Sequence, residues 1–155
     1  MLKKCEFVLR NLRIEDIEEL YALWGENWEE KIISSIKELK VNFAFGKDEN
    51  GNIVPIAMGG FQKISEENPK IACAWLLATK YIKNNKLAFM RVLRAHIIAS
   101  EKEYQILYNY IYKSNKQSKE WLLKLGFCFD NPKPNGLNVQ EGFEFFYKIN
   151  NRKEL

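Results

Sequence analysis

The sequence predicts an α/β fold with a mixed central sheet and helices on both faces. Two observations predict it. Apolar residues recur in turn at strand-like alternation and at helical spacing along the whole chain. Hairpin signals fill the first half, whereas strand–helix–strand units fill the second. The bulk composition supports the same class. The chain has 155 residues, 46% hydrophobic and 14% aromatic, enough for one well-filled core in a single domain spanning 1–155.

Residues 5–10, Cys-Glu-Phe-Val-Leu-Arg, read as a short strand. A helix then carries Ile17, Leu20, Tyr21 and Trp24 on one face and ends at Gly25. A second helix is predicted over 28–38, with Trp28, Ile32, Ile33 and Ile36 as its stripe and Leu39 just beyond. Residues 41–46 alternate as a strand, and Asp48 to Asn52 form a turn around Asn50-Gly51. Residues 53–64 are the returning strand, in which Gly59-Gly60 marks a bulge or a close backbone approach. After a polar loop, 71–79 is apolar throughout, as in a strand buried on both faces. A basic, Asn-rich link covers 80–86. The helix over 87–100 places Leu87, Met90, Leu93, Arg94 and Ile97 on successive turns. Residues 104–112 are aromatic and β-branched, hence a strand. Ser114 is the expected N-cap of a helix over 116–125, with Gly126 as C-cap. A strand begins at 127–129, a turn-rich loop runs over 132–136, and 143–149 is the closing strand before a polar tail.

Several function classes fall away on composition. Twenty-four Lys and Arg against 20 Asp and Glu leave a net charge of +4, spread along the chain, which identifies no nucleic-acid site. Cys5, Cys73 and Cys128 stand far apart, with no Cys-x-x-Cys spacing, so they read as buried apolar thiols in a reducing compartment and no metal is expected. His96 alone builds neither a histidine metal site nor a Ser-His-Asp triad. No apolar run approaches the ~18 residues of a membrane span, and residues 1–6 lack the apolar region of a signal peptide. The expectation is a cytoplasmic protein.

The element order and the segment Asn115-Lys116-Gln117-Ser118 through Trp121 to Leu125-Gly126-Phe127 resemble the GCN5-related N-acetyltransferase (GNAT) superfamily. The superfamily pattern there is an Asn, a small residue three positions on, an aromatic near position seven and a closing Leu-Gly-Phe. A narrower resemblance is to a GNAT-like family of tailed phages that includes podovirus internal virion proteins. It lies in Ala74-Trp75-Leu76-Leu77-Ala78-Thr79, in the helix with Phe89, Arg91 and Arg94, and in 104–109 leading to Asn115.

The GNAT resemblance implies acetyl-CoA as cofactor, with its pantetheine arm against the backbone of Leu76, Leu77, Ala78 and Thr79. Two parallel central strands that part at their C-terminal ends would receive it. Lys80, Lys83 and Lys86 would meet its phosphates, and Asn115 would orient cofactor or substrate. The superfamily's phosphate loop is glycine-rich, because glycines let free N–H groups approach the anion. Segment 80–88 has no glycine. The usual acid, a Tyr seven residues after the motif Asn, is Leu122 here, which donates no proton. Tyr108 and Tyr110 are the substitute candidates for an acid, with Tyr112 beside them, and Glu29 is a candidate base alongside Glu26, Glu30, Glu66 and Glu67. Arg91 and Arg94 read as ion-pair partners of acidic groups on the first two helices, ahead of the alternative that they face a phosphate. Two functions therefore stand open. One is a phage accessory or virion-associated protein with a degenerate acetyl-CoA site, whose partners would be other phage proteins or further copies of itself. The other is an active N-acetyltransferase moving acetyl to an amine. The missing glycines and Leu122 favour the first.

Overall fold

The computed structural model describes residues 2–129 and 140–150. It contains a mixed five-stranded sheet with helices on both sides. In chain order the elements are α1 (Leu2–Arg10), α2 (Ile14–Trp24), α3 (Trp28–Ile36), β1 (Asn42–Lys47), β2 (Ile53–Lys63), β3 (Ile71–Ala78), α4 (Lys86–Ser100), β4 (Ile106–Tyr112), α5 (Lys116–Lys124) and β5 (Phe143–Ile149). The strands lie in the order β1-β2-β3-β4-β5. Two compact units share them: Met1–Phe61 with Trp75–Leu93, and Gln62–Ala74 with Arg94–Leu155.

In the first unit, α1 corrects the strand expected over 5–10. Cys5, Val8 and Leu12 follow one another at helical spacing, and all three are buried in the core with Leu20, Ile32, Ile36, Met58 and Leu77. A run of six residues is too short for its periodicity to separate strand from helix. In α2 the stripe holds at Leu20, but Tyr21 faces solvent, as does Ile33 in α3. Strand β1 pairs antiparallel with β2 from Asn42–Gly59 to Lys47–Ile53. The turn between them is held by Asp48, whose Oδ1 accepts the Asn50 and Asn52 N–H groups at 2.9 Å, with Gly51 at φ 79°. The close approach expected at Gly59-Gly60 is present. A Cβ on Gly59 would stand 2.5 Å from the Trp75 carbonyl oxygen, and one on Gly60 would stand 2.7 Å from that of Lys40.

In the second unit, β3 and β4 run parallel, from Ile71–Ile106 to Cys73–Tyr108, where the ladder ends. β4 then pairs antiparallel with β5 along its whole length, from Ile106–Ile149 to Tyr112–Phe143. One face of this pair is apolar and buried at Leu107, Ile111 and Phe146, and Phe127 packs edge-on to Phe146 at 5.4 Å. Each such fully buried side chain contributes about 1.5–3 kcal/mol. The other face carries Tyr108, Tyr110, Phe145 and Tyr147, all half-buried. Residues 127–129 make a single bridge, Cys128 to Tyr147, rather than a strand. The strand expected from 104 begins at Ile106, and Tyr104 is buried beneath it. In α4, Leu87 of the first unit is 77% exposed and Phe89 is its buried anchor, while Met90, Leu93 and Ile97 are half-buried as the stripe expects. The loop expected at 132–136 lies outside the described residues, as does the tail after Asn150. Asn150 itself is buried, its amide donating to the Tyr104 carbonyl.

The cysteines divide: Cys5 is buried, Cys73 half-buried and Cys128 exposed, which corrects the expectation for Cys128. Arg91 and Arg94 are both exposed. The ion pairs found among the described residues join Arg13 to Asp16, Lys119 to Glu144 and Lys148 to Glu101 instead.

Candidate functional site

The end of β3 turns its peptide groups alternately to its two edges. Leu77 is buried in the first unit's core. Thr79 faces β2: its N–H donates to the Ile56 carbonyl at 2.8 Å and its hydroxyl to the same oxygen at 3.0 Å. Ala78 faces the other way. Its N–H donates to the Asp16 carboxylate at 2.8 Å, and its carbonyl accepts the Arg13 N–H at 3.1 Å. Arg13 grips Asp16 through two parallel bonds of 2.9 Å, both residues being buried at the start of α2. Burial pushes the Asp16 carboxyl above its ordinary value, while the Arg13 guanidinium and the Ala78 N–H pull it back. Of the four backbone positions expected to hold pantetheine, Ala78 and Thr79 thus spend their groups within the fold. Leu76 lies on the same edge of β3 as Ala78.

The link after β3 is more ordered than its composition suggests. Residues Lys80–Asn84 form a 3-10 helix whose N-cap is Thr79, accepting from the Tyr81 N–H. The Lys80 N–H donates to the Asn11 carbonyl, and those of Ile82 and Asn85 donate back within the segment. Asn85 ties the segment to β1. Its oxygen accepts the Lys47 N–H at 3.1 Å, and its nitrogen donates to the Lys47 and Tyr81 carbonyls at 3.0 and 2.9 Å. Only glycine at position 46 admits it: a Cβ there would lie 2.6 Å from the Asn85 oxygen. Lys80, Lys83 and Lys86 are all exposed. Lys86 opens α4, whose first-turn N–H groups have few intrahelical partners. The donor set fits an anion through lysine side chains and a helix end, not through a glycine nest.

The remaining candidates divide between the units. Glu29 sits exposed in the first turn of α3, in the first unit, as do Glu26 just before it and Glu30 beside it. Asn115, Tyr108 and Tyr110 belong to the second. Asn115 is buried and is the true N-cap of α5, its oxygen accepting the Ser118 N–H at 3.3 Å, so the cap stands one residue later than Ser114. Gly126 follows α5 at φ 91°, as expected of a C-cap glycine. Tyr108 and Tyr110 meet edge-on at 6.3 Å, and both contact Phe145. Burial, followed by the neighbouring Cys73, raises both phenols above 10.0. Burial also pushes the Cys73 thiol up to about 11. At neutral pH all three groups hold their protons. A thiolate of ordinary basicity, with a pKa near about 8.5, takes a proton from such phenols only uphill, so they suit hydrogen-bond donation better than full proton transfer.

Three residues that sequence reasoning passed over shape this region: Arg13, Asp16 and Asn109. The first two carried a readable signal, opposite charges three apart at a helix start. Asn109 carried one too, a polar amide inside an aromatic strand. Among the described residues no cluster of His, Cys, Asp and Glu is able to hold a metal, and no helix is long and apolar enough to cross a membrane.

No protein-family model matches the chain, and no curated protein sequence matches it. Solved structures do. A candidate phosphinothricin N-acetyltransferase superposes with a TM-score of 0.57 at 16% identity, over 79% of this chain and 78% of that one. The smu.2055 protein of Streptococcus mutans UA159 gives 0.55 at 12% identity, over 79% and 78%. The spermidine N-acetyltransferase of Vibrio cholerae, solved with CoA and spermine, gives 0.52 at 11% identity, over 84% and 82%. At these identities the likeness is one of fold, and the fold is that of the GNAT acetyltransferases.

Proposed function

We propose that this chain binds acetyl-CoA and transfers its acetyl group to an amine. The observation that carries the reading is the short parallel ladder of β3 and β4, ending at Cys73–Tyr108, within a fold shared with N-acetyltransferases. In the reaction the amine nitrogen attacks the thioester carbonyl. A C–N bond forms, the C–S bond breaks, and the departing CoA sulfur takes up the proton the amine gives away. Leu76 offers its peptide groups to the pantetheine amide. In the first unit, Lys80, Lys83 and Lys86 neutralise the phosphates; in the second, Tyr108 and Tyr110, held protonated, are suited to donate hydrogen bonds. No carboxylate base is required of the chain, because orienting a neutral amine against the thioester itself lowers the barrier by several kcal/mol.

A second reading is favoured by the loop. A phage accessory or virion-associated protein that kept the fold and let the cofactor site degenerate accounts for the absence of glycine in 80–88 and for the Ala78 groups spent on Arg13 and Asp16. Titration calorimetry with acetyl-CoA and CoA separates the two. Saturable binding, followed by thiol release from acetyl-CoA with spermidine or phosphinothricin as trial acceptors, supports transfer. Absence of heat with either ligand at millimolar concentration supports the degenerate site.

A further inference from the structure

We propose that Asn50 is a site of spontaneous modification: the Gly51 nitrogen closes on its side-chain amide, and the isoaspartate that results loosens the hairpin end gripped by Asn85. The turn engages most of its own polar groups. The Asp48 N–H donates to the Asn52 carbonyl at 2.9 Å, and the Gly51 N–H to the Asp48 carbonyl at 3.2 Å. The Asp48 carboxylate accepts the Asn50 and Asn52 N–H groups at 2.9 Å and the Asn52 side-chain amide at 3.4 Å. The Asn50 side chain is exposed, and no hydrogen bond ties its amide to another described residue. The next residue is glycine, at φ 79°, where a Cβ would meet nothing within 4 Å. No side chain shields the Gly51 nitrogen.

The step balances with water as its co-reactant. The Gly51 nitrogen gives its proton to solvent base and attacks the Asn50 Cγ. A C–N bond forms, the bond from Cγ to the side-chain nitrogen breaks, and ammonia leaves with a proton from solvent. Water then opens the resulting succinimide. Cleavage at Cγ gives aspartate. Cleavage at the main-chain carbonyl gives isoaspartate, whose main chain runs through the former side chain. Nothing is oxidised or reduced. Asp48 sets the pace, because the Gly51 N–H must leave the Asp48 carbonyl before its nitrogen attacks, and the Asp48 carboxylate holds the turn closed. Isoaspartate adds a methylene to the main chain between residues 50 and 51, so the bonds of Gly51 and Asn52 to Asp48 lose their spacing. Lys47 stands next to Asp48, as the last residue of β1 paired with β2. Its N–H and its carbonyl are both held by Asn85, at 3.1 and 3.0 Å. The modification thus reaches the basic segment of the first unit through one residue.

The test incubates the native chain, Asn50→Gln and Asp48→Ala in mildly alkaline buffer, beside a peptide of residues 47–53. Should the alanine variant not fold, Asp48→Ser takes its place. Peptide mapping by mass spectrometry locates the conversion of amide to acid, and an isoaspartyl methyltransferase assay identifies the isomer. Residue 50 of the native chain is expected to convert, more slowly than in the peptide, while Asn50→Gln stays intact there. Asp48→Ala is expected to convert about threefold faster or more. The isoaspartyl protein, separated by its added charge, is expected to exchange the Lys47 amide hydrogen about tenfold faster than the native chain. An intact residue 50 in the folded chain, while the peptide converts, overturns the proposal. Conversion in Asn50→Gln as well overturns the succinimide route. An unchanged rate in Asp48→Ala overturns the control by Asp48. Native Lys47 exchange in the isoaspartyl protein overturns the reach to Asn85. Conversion and exchange are both read without CoA, so failure of the acetyl-CoA reading leaves these results standing.

Discussion

The Asp16 carboxylate, at the start of α2, accepts the backbone N–H of Ala78 at the end of β3, at 2.8 Å. With the Arg13 N–H bond to the Ala78 carbonyl, it joins the start of α2 to the strand on which the cofactor reading depends. Arg13 orients the carboxylate for it through two bonds of 2.9 Å.

Asp16→Ala removes the carboxylate that bonds both the buried Arg13 guanidinium and the Ala78 N–H. The expected loss is about 3–5 kcal/mol, the range for breaking one side of a buried pair. Urea denaturation checks it. A loss below about 1 kcal/mol would mean the pair behaves like a surface contact.

Asn115 and Gly126 bracket α5. Asn115→Ala removes the N-cap and is expected to cost about 1 kcal/mol or somewhat more, given its burial. Gly126→Val forces a β-branched residue to φ 91°, costing roughly 1–2 kcal/mol at least. Each kcal/mol lowers the melting temperature by about 2–4 °C in a chain of this size. Both shifts should appear without ligand. An unchanged melt for Asn115→Ala, with lost stabilisation by acetyl-CoA, would assign Asn115 to the ligand rather than to the helix.

Stability should fall on the alkaline side. Burial raises the Cys73 thiol from 9.0 to about 11, so the folded chain keeps a proton that the unfolded chain releases between those values. The contribution is whole below pH 9 and is lost as pH climbs toward about 11. Tyr108 and Tyr110, raised from 10.0, act in the same direction at higher pH. Melting temperature followed from about pH 8 to 10.5 should drop steeply in the native protein and less steeply in Cys73→Ala. Parallel curves would remove Cys73 as the cause. The exposed Cys128 should meet a thiol reagent first at neutral pH.

The lysines make a further expectation. With phosphates met by exposed side chains rather than a backbone nest, CoA affinity should fall about three- to tenfold in Lys83→Ala and again in Lys86→Ala. It should also fall steeply toward about 1 M salt, where charges more than about 3 Å apart are screened. Affinity indifferent to salt would point to contacts other than these.

Much of the architecture was legible because long elements repeat their signals. The hairpin announced itself through Asn50-Gly51, the buried strand through its unbroken apolar run, and α5 through Gly126. The first element was not legible, because six residues satisfy both periods and only the packing of Cys5, Val8 and Leu12 into one core decides between them. In α4 only Leu87 was misplaced, because Leu87 and Phe89 are both apolar and packing alone decides which is buried. The site was less legible still. Local sequence placed Lys80, Lys83 and Lys86 together as neighbours in the chain. It did not reveal that Asp16 reaches Ala78 or that Asn109 reaches Ala74, since those bonds depend on contacts far apart in sequence.

Asn85 has one more consequence. By bonding to Lys47 on one side and Tyr81 on the other, it fastens the connection after β3 to the neighbouring hairpin as a rivet fastens two plates. A glycine-rich loop must surrender many backbone conformations when it closes on a ligand. This one has surrendered them in folding. An anion arriving at Lys80, Lys83 and Lys86 immobilises side-chain rotamers and little else, at about 0.5–1.5 kcal/mol for each one held. What the segment lacks in donors aimed at a phosphate it recovers in part as rigidity, and Asn85→Ala should release the main chain around Lys83 to faster hydrogen exchange.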